Sequence, residues 1–344
     1  MFSRNKIAKA VALALLASVP SLASAQSVIK LYGLIDAWGG QEKTIPGSKT
    51  VIESGGMTTS FWGLGGEEDL GGDLKAVFAI ESFLRADNGA SGRFNGDPFF
   101  ARSAYVGLGG GFGQVTLGRN TNPYFLSTLI FNPFADSFAF SPMILHTWFG
   151  NLNGDTGFSN SIRYQSPVMG GFKLDAVYTA GDENPSNSPL SKRNKGYDIG
   201  GFYFGGPLAA SLVYRSLNLD NTGLTADQTA LIGGVSYAFS AVKLFGQFQQ
   251  TKLTQSTTGE TKQRTVQLGV SAPVGPGNIL ASVASTKITD NDVTTADKRV
   301  AFALGYDYDL SKRTDLYAVL MDDKYKNPET AKTRRIAFGI RHRF

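Results

Sequence analysis

The chain has 344 residues, no cysteine and a formal net charge of +5, with 33 Lys and Arg against 28 Asp and Glu. No disulfide can hold it together, and so small a basic excess argues against a nucleic-acid binder, which needs a strong positive patch. Beyond the first residues no apolar run approaches the length of a membrane-spanning helix, which leaves a soluble protein or a transmembrane barrel whose strands are apolar on one face only.

Residues 1–25 carry a basic start (Arg4, Lys6, Lys9), an apolar run from Ala10 to Val19 and small residues at Ala23 and Ala25. This is the three-part plan of a secretory signal cleaved after Ala25. Its removal would take away three basic residues and no acid, leaving a mature chain, 26–344, with a formal charge of +2.

From there the sequence alternates. Residues 28–38 put Ile29, Leu31, Ile35 and Ala37 on one parity and Lys30, Tyr32, Leu34 and Asp36 on the other. Residues 74–85 repeat the device, with Leu74, Ala76, Phe78, Ile80 and Leu84 against Lys75, Glu81 and Arg85. Side chains of a strand alternate faces, so each segment has one apolar wall and one polar wall. Further strands are read at 57–67, 99–108, 113–120, 159–166, 171–180, 196–205, 207–217, 228–239, 241–252, 261–272, 277–288, 297–309, 314–325 and 334–344, sixteen in all.

The connections sort by length. Tight turns at 69–73, 109–112, 166–170, 205–207, 240–241, 273–276 and 310–313 alternate with longer polar links such as 40–56, 86–98, 181–195 and 254–260. An even strand count with short links on one side and long links on the other predicts an all-β, 16-stranded antiparallel transmembrane barrel. The last strand sets its polarity. Ile336, Phe338, Ile340, His342 and Phe344 share a face, and Arg335, Arg341 and Arg343 share the opposite one. Turning the arginines to lipid would cost about 2 to 4 kcal/mol each at mid-depth, so they face the lumen.

One interval breaks the rhythm. Thr121 to Phe158 is rich in aromatics, Pro and Asn, follows neither a period of 2 nor of 3.6, and contains only two acids, Asp136 and Asp155. So long an unstructured insert in a compact domain is functional or disordered, and its aromatic content argues against disorder. It is expected to fold inward and narrow a pore.

The segments KLYGLIDAW, EEDLGGDLKAVFAIES, RSAYVGLGGGFGQVTLGRN, NSIRYQSP, GYDYDLSKRTDLYAVL and GIRHRF, in this order, resemble the general porins of Gram-negative outer membranes, especially those of beta-proteobacteria. The resemblance implies a homotrimer of sixteen-stranded barrels in the outer membrane, each a water-filled channel for passive diffusion of small hydrophilic solutes and ions. It also implies that the third outer loop, here 121–158, forms the eyelet.

Selectivity in such a pore follows from its radius and its lining charges. Parity nominates Asp36, Glu81, Asp175 and Asp307 on the acidic side, and Lys30, Lys75, Arg102, Arg163, Lys173, Arg215, Arg299 and Arg341 on the basic side. The constriction is expected to involve Arg102, Arg163, Lys75, Glu81, Asp36 and, on the loop, Asp136. Arg102 resembles the basic eyelet residue of the family and Asp136 its acidic one, while Asp155 could equally serve a turn. Where related porins often carry basic side chains before the EDLG turn, this chain has Phe61 and Gly65, which weakens the positive wall. The expectation is a weak to moderate anion preference, the alternative being a substrate-specific channel for a small organic anion, with the loop aromatics as a track.

Arg119 shares the outer parity of Val115 and Leu117, so it is placed at a subunit interface, facing Asp87 or Asp97 of a neighbour's second loop as the family resemblance suggests. Lys192, Arg193 and Lys195 would suit lipopolysaccharide at the outer rim. No enzyme is expected. The two histidines, His146 and His342, have no evident nucleophile and acid in register, and neither a phosphate-binding loop nor a two-histidine metal spacing is present, so no cofactor or metal is implied.

Overall fold

A computed structural model describes residues 28–150, 152–182, 194–219, 226–256, 258–291, 298–325 and 332–344. The expected signal segment and the rim residues Lys192 and Arg193 lie outside the described residues. The strands are β1 (Val28–Lys43), β2 (Ser48–Ser54), β3 (Phe61–Gly71), β4 (Leu74–Phe83), β5 (Ser103–Gly110), β6 (Gly113–Thr121), β7 (Gly157–Gln165), β8 (Phe172–Thr179) and β9 (Gly196–Gly205). They continue with β10 (Leu208–Asn218), β11 (Ala226–Ala238), β12 (Lys243–Gln255), β13 (Gly259–Val274), β14 (Gly277–Asp290), β15 (Lys298–Asp309), β16 (Thr314–Tyr325) and β17 (Lys332–Arg343).

Each strand pairs antiparallel with its neighbours, and β17 returns to β1 from Leu34↔Arg343 to Lys43↔Arg334. The sheet is therefore closed and has no free edge. On its other side β1 pairs with β3 over Val28–Leu34 and with β2 over Ala37–Lys43. β2 and β3 are thus two halves of one stave, and the barrel has sixteen.

The strand β2 falls inside the stretch 40–56 that the sequence presents as a loop. Lys49, Glu53 and the polar run around them obscure the alternation there. The break between the halves is held by Asp36, whose carboxylate accepts the backbone N–H groups of Gly56, Met57 and Thr58 at 3.1, 2.8 and 2.8 Å and the Tyr317 hydroxyl at 2.5 Å. Backbone donors that leave the ladder need such a partner.

The expected parity holds. Ile29, Leu31, Val106, Leu117, Leu268 and Phe338 are exposed on the outer surface, whereas Asp36, Glu81, Arg215, Gln249, Thr265 and Arg341 are buried inside. An apolar exterior around a polar interior inverts a soluble protein and suits a lipid surround.

Residues 121–158 fold into the barrel and contain two short helices, α1 (Pro123–Ile130) and α2 (Pro142–Trp148). Each begins with Pro in its first turn behind a side-chain cap, Asn122 accepting the Phe125 N–H and Ser141 that of Ile144. Proline at this position costs no helical hydrogen bond. Helices of eight and seven residues are too short for a 3.6-residue period to show in sequence.

Candidate functional site

The inserted loop is fixed to the wall before it can shape anything. Tyr124, Phe131 and Met143 pack with Phe202, Val213, Ala230 and Ile232, while Phe134, Phe140 and Leu145 pack with Trp38, Met57, Tyr317 and Met321. Three inward-facing glycines make room for the loop. A Cβ at Gly234 would collide with the Phe131 ring, one at Gly269 would lie 2.6 Å from Pro133, and one at Gly305 3.1 Å from Phe134. Glycine inside a strand often marks such a close approach, and this signal went unread in the sequence.

Buried ion pairs add direction to the packing. Arg215 holds Asp198 through two hydrogen bonds of 2.8 Å with both side chains fully buried. Its guanidinium lies 4.7 Å from the Tyr124 ring centre, 5.0 Å from Phe158 and 5.6 Å from Trp148. Arg299 pairs with Asp323 and donates to the carbonyls of Leu145 and Phe149 at 3.1 and 3.3 Å. Those carbonyls belong to the last turn of α2, where a cation complements the helix dipole. Arg335 joins Glu42 and donates to the Ala139 carbonyl. Arg215 and Arg299, nominated by parity as lumen charges, are therefore loop anchors.

What remains open is the wall facing Asp136. Glu81 takes the Tyr32 hydroxyl at 2.9 Å and an Arg102 guanidinium nitrogen at 2.6 Å. The Arg102 guanidinium lies 3.8 Å from the centre of the Phe61 ring, so the ring supports the cation. On the loop, Asp136 accepts from Thr58 at 3.1 Å, and Thr58 accepts from Arg341 at 3.0 Å. Arg102 and Arg341 both exert their charge on Asp136. Arg341 is otherwise consumed by Asp315 and Asp307. The Arg102 side chain is 34% exposed and its partner Glu81 only 8%, so water meets the cation rather than the acid.

Other expected lining residues fall elsewhere. Asp36 is buried in the β2–β3 break described above and does not meet the lumen water. Lys75 sits beside the β3–β4 turn, paired with Glu67 at 3.1 Å, at the pore mouth rather than its waist. Lys30 and Lys173 also lie on the short-turn side, at the start of β1 and β8. Arg163 is doubly bonded to Asp175 at 2.8 and 2.6 Å. The structure thus brings together Arg102, Glu81 and Asp136; Asp36 lies buried behind Asp136, joined to it through Thr58, and Lys75 lies away at the mouth.

Arg119 and Asp97 are engaged within their own chain. Arg119 pairs with Asp155 and donates to the Ala101 carbonyl and the Ser159 hydroxyl. Asp97 pairs with Arg93 at 2.9 Å, and Arg93 reaches Asp155 at 2.7 Å. Asp155 therefore clasps the second loop to the root of the third. Burial alone would raise its carboxyl, but hydrogen bonds from Arg93 and the charges of Arg93 and Arg119 hold it down to about 2. Asp87 is exposed at the tip of the second loop.

His146 has partners that sequence could not show. Its Nδ1 lies 2.8 Å from the Thr286 hydroxyl and its Nε2 3.6 Å from Asp323. Threonine, imidazole and carboxylate are all buried and Asp323 is occupied by Arg299, so the group locks α2 to β14 and β16. His342 is exposed and meets Thr314 at 2.8 Å.

A closed barrel, apolar outside and polar within, narrowed by a loop anchored through its own aromatic core, is a transmembrane channel. The sequence model of Gram-negative porins matches residues 12–328. Outer membrane porin protein 32 of Delftia acidovorans is 34% identical over 330 residues, covering 93% of this chain and 90% of the relative. An outer membrane porin of Bordetella pertussis is 30% identical, with 97% and 98% covered. Among solved structures, an anion-selective porin from Comamonas acidovorans superposes with a TM-score of 0.78 at 30% identity, covering 93% of this chain and all of that one. The trimer form of OmpT from Vibrio cholerae, at 14% identity and a TM-score of 0.69, shares the fold. The chain belongs to the Gram-negative porin family and is an outer-membrane porin channel.

Proposed function

We propose that the protein is a general diffusion porin whose constriction, formed by Arg102, Glu81 and Asp136, gives a weak to moderate preference for small anions. The observation that carries this reading is the asymmetry of the Arg102–Glu81 pair, in which the cation is open to the lumen and the acid is covered. A passing anion meets a guanidinium positioned by Phe61, while a cation meets only the partly shielded Asp136. Lys30, Lys75 and Lys173 at the short-turn mouth add to the same field. The anion-selective Comamonas porin, at 30% identity, supports the sign.

The reading is tested by the zero-current potential of single channels under a KCl gradient. Chloride over potassium permeability should exceed unity in the wild type and fall below it in Arg102→Glu. A wild-type channel that prefers potassium would overturn the assignment.

The working form we infer is a homotrimer, reached after removal of residues 1–25. Phe94 and Phe99 on the second loop are 55% and 53% exposed, which suits burial against a neighbouring subunit. With Arg119 and Asp97 satisfied inside the chain, Asp87 and these rings are the better interface candidates. A second reading, a channel specific for a small organic anion, is favoured by one feature. Phe125, Phe138 and Phe149 form an edge-to-face and stacked cluster, with centroids 6.2 and 6.1 Å apart, and Phe149 stays 59% exposed. Conductance block by aromatic carboxylates at submillimolar concentration would select that reading over simple diffusion.

A further inference from the structure

Between the constriction and the short-turn mouth the lumen wall carries a hollow that ion passage does not require. The registers of β1 and β3–β6 build it in rows of inward-facing residues. The central row runs Lys30, Gly65, Ala79, Tyr105. Towards the constriction the next row is Tyr32, Gly63, Glu81, Ser103, and towards the mouth it is Val28, Glu67, Val77, Gly107, with Lys75, Gly109 and Gln114 below that. Small residues therefore fill the centre and polar ones the rim. Lys30 and Tyr105 stand three strands apart, about 14 Å between backbones. The Tyr32 ring leans over the floor at Gly65, where a Cβ would lie 3.2 Å from its hydroxyl. The space enclosed is about 350 Å³. Helices α1 and α2 of the inserted loop pack on β8–β11 and β13–β15, away from this wall, so the hollow opens to the lumen.

The rim has spare bonding capacity. Among the described residues no protein group bonds the Lys30 ammonium, the Tyr105 hydroxyl or the Gln114 side-chain amide. The remaining charges cancel in pairs, Lys75 with Glu67 at 3.1 Å and Arg102 with Glu81 at 2.6 Å, which leaves Lys30 uncompensated. The Lys75–Glu67 pair is about half exposed, 44% and 53%, so Glu67 keeps lone pairs that can accept from a solute.

These groups define what would fit. The ammonium only donates, the carboxylate only accepts, and the hydroxyl and the amide do both. A matching solute brings one anionic group for Lys30 and several hydroxyls that both donate and accept, on a ring small enough for a floor of Gly65, Ala79 and Val77. An inorganic anion would answer Lys30 alone. A flat aromatic acid would cover the floor, but it would strip water from Tyr105, Gln114 and Glu67 and return no bond to them, at a cost for each.

We propose that this hollow is a binding subsite for an acidic monosaccharide, a six-carbon sugar ring bearing one carboxylate, which pauses there during passage. The carboxylate meets Lys30, the ring hydroxyls bond Tyr105, Gln114 and Glu67, and the C–H face of the ring lies on Ala79 and Val77. Ligand pockets run from about 300 to 1,000 Å³, so this one takes a single ring. The inference rests on the channel reading, because the hollow is reached only through the lumen.

The test uses the full-length protein with galacturonate, galactose and benzoate as probes. In planar bilayers galacturonate should interrupt the single-channel current of the wild type at concentrations about tenfold below those needed for galactose or benzoate, the worth of one charge-assisted hydrogen bond or of two neutral ones. Saturation-transfer NMR on the protein in detergent should give the same order of affinity without requiring conduction. Lys30→Gln should remove most of the advantage of galacturonate over galactose. Tyr105→Phe and Gln114→Ala should each weaken both sugars by about two- to tenfold. Arg102→Gln, at the constriction above the hollow, should leave the galacturonate signal in detergent intact. Undiminished galacturonate binding by a folded Lys30→Gln, Tyr105→Phe double variant or by Gln114→Ala overturns the proposal, and so does benzoate binding as tightly as galacturonate. Loss of the sugar signal in Arg102→Gln would place the sugar at the constriction and overturn it as well. A protein that binds galacturonate in detergent but passes no ions counts against the channel reading and supports the subsite; one that conducts and binds no sugar does the reverse.

Discussion

Two kinds of arginine–carboxylate pair line the inside of this barrel, and they differ in what surrounds them rather than in their chemistry. Arg215–Asp198 is fully buried between the wall and the loop, ringed by Tyr124, Trp148 and Phe158. Arg102–Glu81 meets through a single guanidinium nitrogen at 2.6 Å, rather than two, and leaves its guanidinium open to the lumen with Phe61 against it. In the first pair the charges have no water to fall back on, so their attraction holds the loop in place. In the second, solvent and passing ions screen the pair, which makes it a weak structural element and an effective electrostatic one. Aromatic rings accompany both, yet they enclose one cation and merely support the other.

The largest effect should come from breaking the enclosed pair. Arg215→Ala leaves Asp198 buried without a counter-charge and should cost about 3 to 5 kcal/mol, as loss of one partner of a buried ion pair does. Thermal unfolding in detergent would register the loss, and single channels should become larger and noisier as the loop comes away from β9 and β10. The double variant Arg215→Met with Asp198→Leu should recover most of the stability, because no uncompensated charge remains. If Arg215→Ala keeps wild-type stability and a quiet channel, the enclosed pair does not anchor the loop. The same replacement at Arg102 should cost less, because Glu81 keeps the Tyr32 hydroxyl and lumen water can enter the space vacated by the exposed guanidinium, and it should alter ion preference instead.

Packing separates the two regions in the same way. Gly234→Val would drive a side chain into the ring of the fully buried Phe131, and overpacking of this kind costs about 1 to 3 kcal/mol. Gly65 lies on the open wall, where a Cβ would meet the Tyr32 hydroxyl and the Phe78 carbonyl, each at 3.2 Å. Gly65→Ala should therefore be mild, below about 1 kcal/mol, since the flexible Tyr32 can give way. Equal unfolding midpoints for the two variants would remove the distinction between a load-carrying seat and a lumen wall.

The difference between the regions also explains which parts could be read from sequence. Strand parity is local, because one residue's neighbours two positions away reveal its face, and Ile336, Phe338 and Ile340 against Arg335 and Arg341 were legible at once. The inserted loop was legible as an interruption of that alternation. The anchors were not, since they join positions far apart in the chain: Arg299 meets the Leu145 carbonyl across 154 residues, and His146 meets Thr286 across 140. Parity therefore placed Arg215 and Arg299 inside the barrel without distinguishing loop root from water. Asp36 failed in the same way, being inward and acidic but spent on the backbone of residues 56–58. The glycines at 234, 269 and 305 did carry a local signal, and an inward glycine on a strand otherwise rich in Gln and Thr is a reason to look for something pressing against it.

Asp155 stands between the two kinds of pair and yields the smallest effect. It joins Arg93 and Arg119 at the outer end of the barrel, with its side chain 36% exposed while the arginines are largely covered. Its carboxyl is depressed to about 2 because the hydrogen bonds and charges of the two arginines outweigh the penalty of burial. A carboxyl depressed below its ordinary value, near 3.9, contributes stability that is present above that value and lost as pH falls through the folded one. The clasp between the second and third loops should therefore be intact at pH 5 and loosen between about pH 4 and 2, by roughly 1 kcal/mol once solvent screening is allowed for. Hydrogen exchange of residues 93–97 should accelerate over that range in the wild type. In Asp155→Asn it should be fast already at pH 5 and change little on acidification beyond the intrinsic exchange chemistry. The same acid-dependent acceleration in both proteins would show that the clasp is held by packing around Phe83 and Phe94, which lie 4.9 and 5.4 Å from the Arg93 guanidinium, and that Asp155 belongs with the screened, open pairs rather than the enclosed ones.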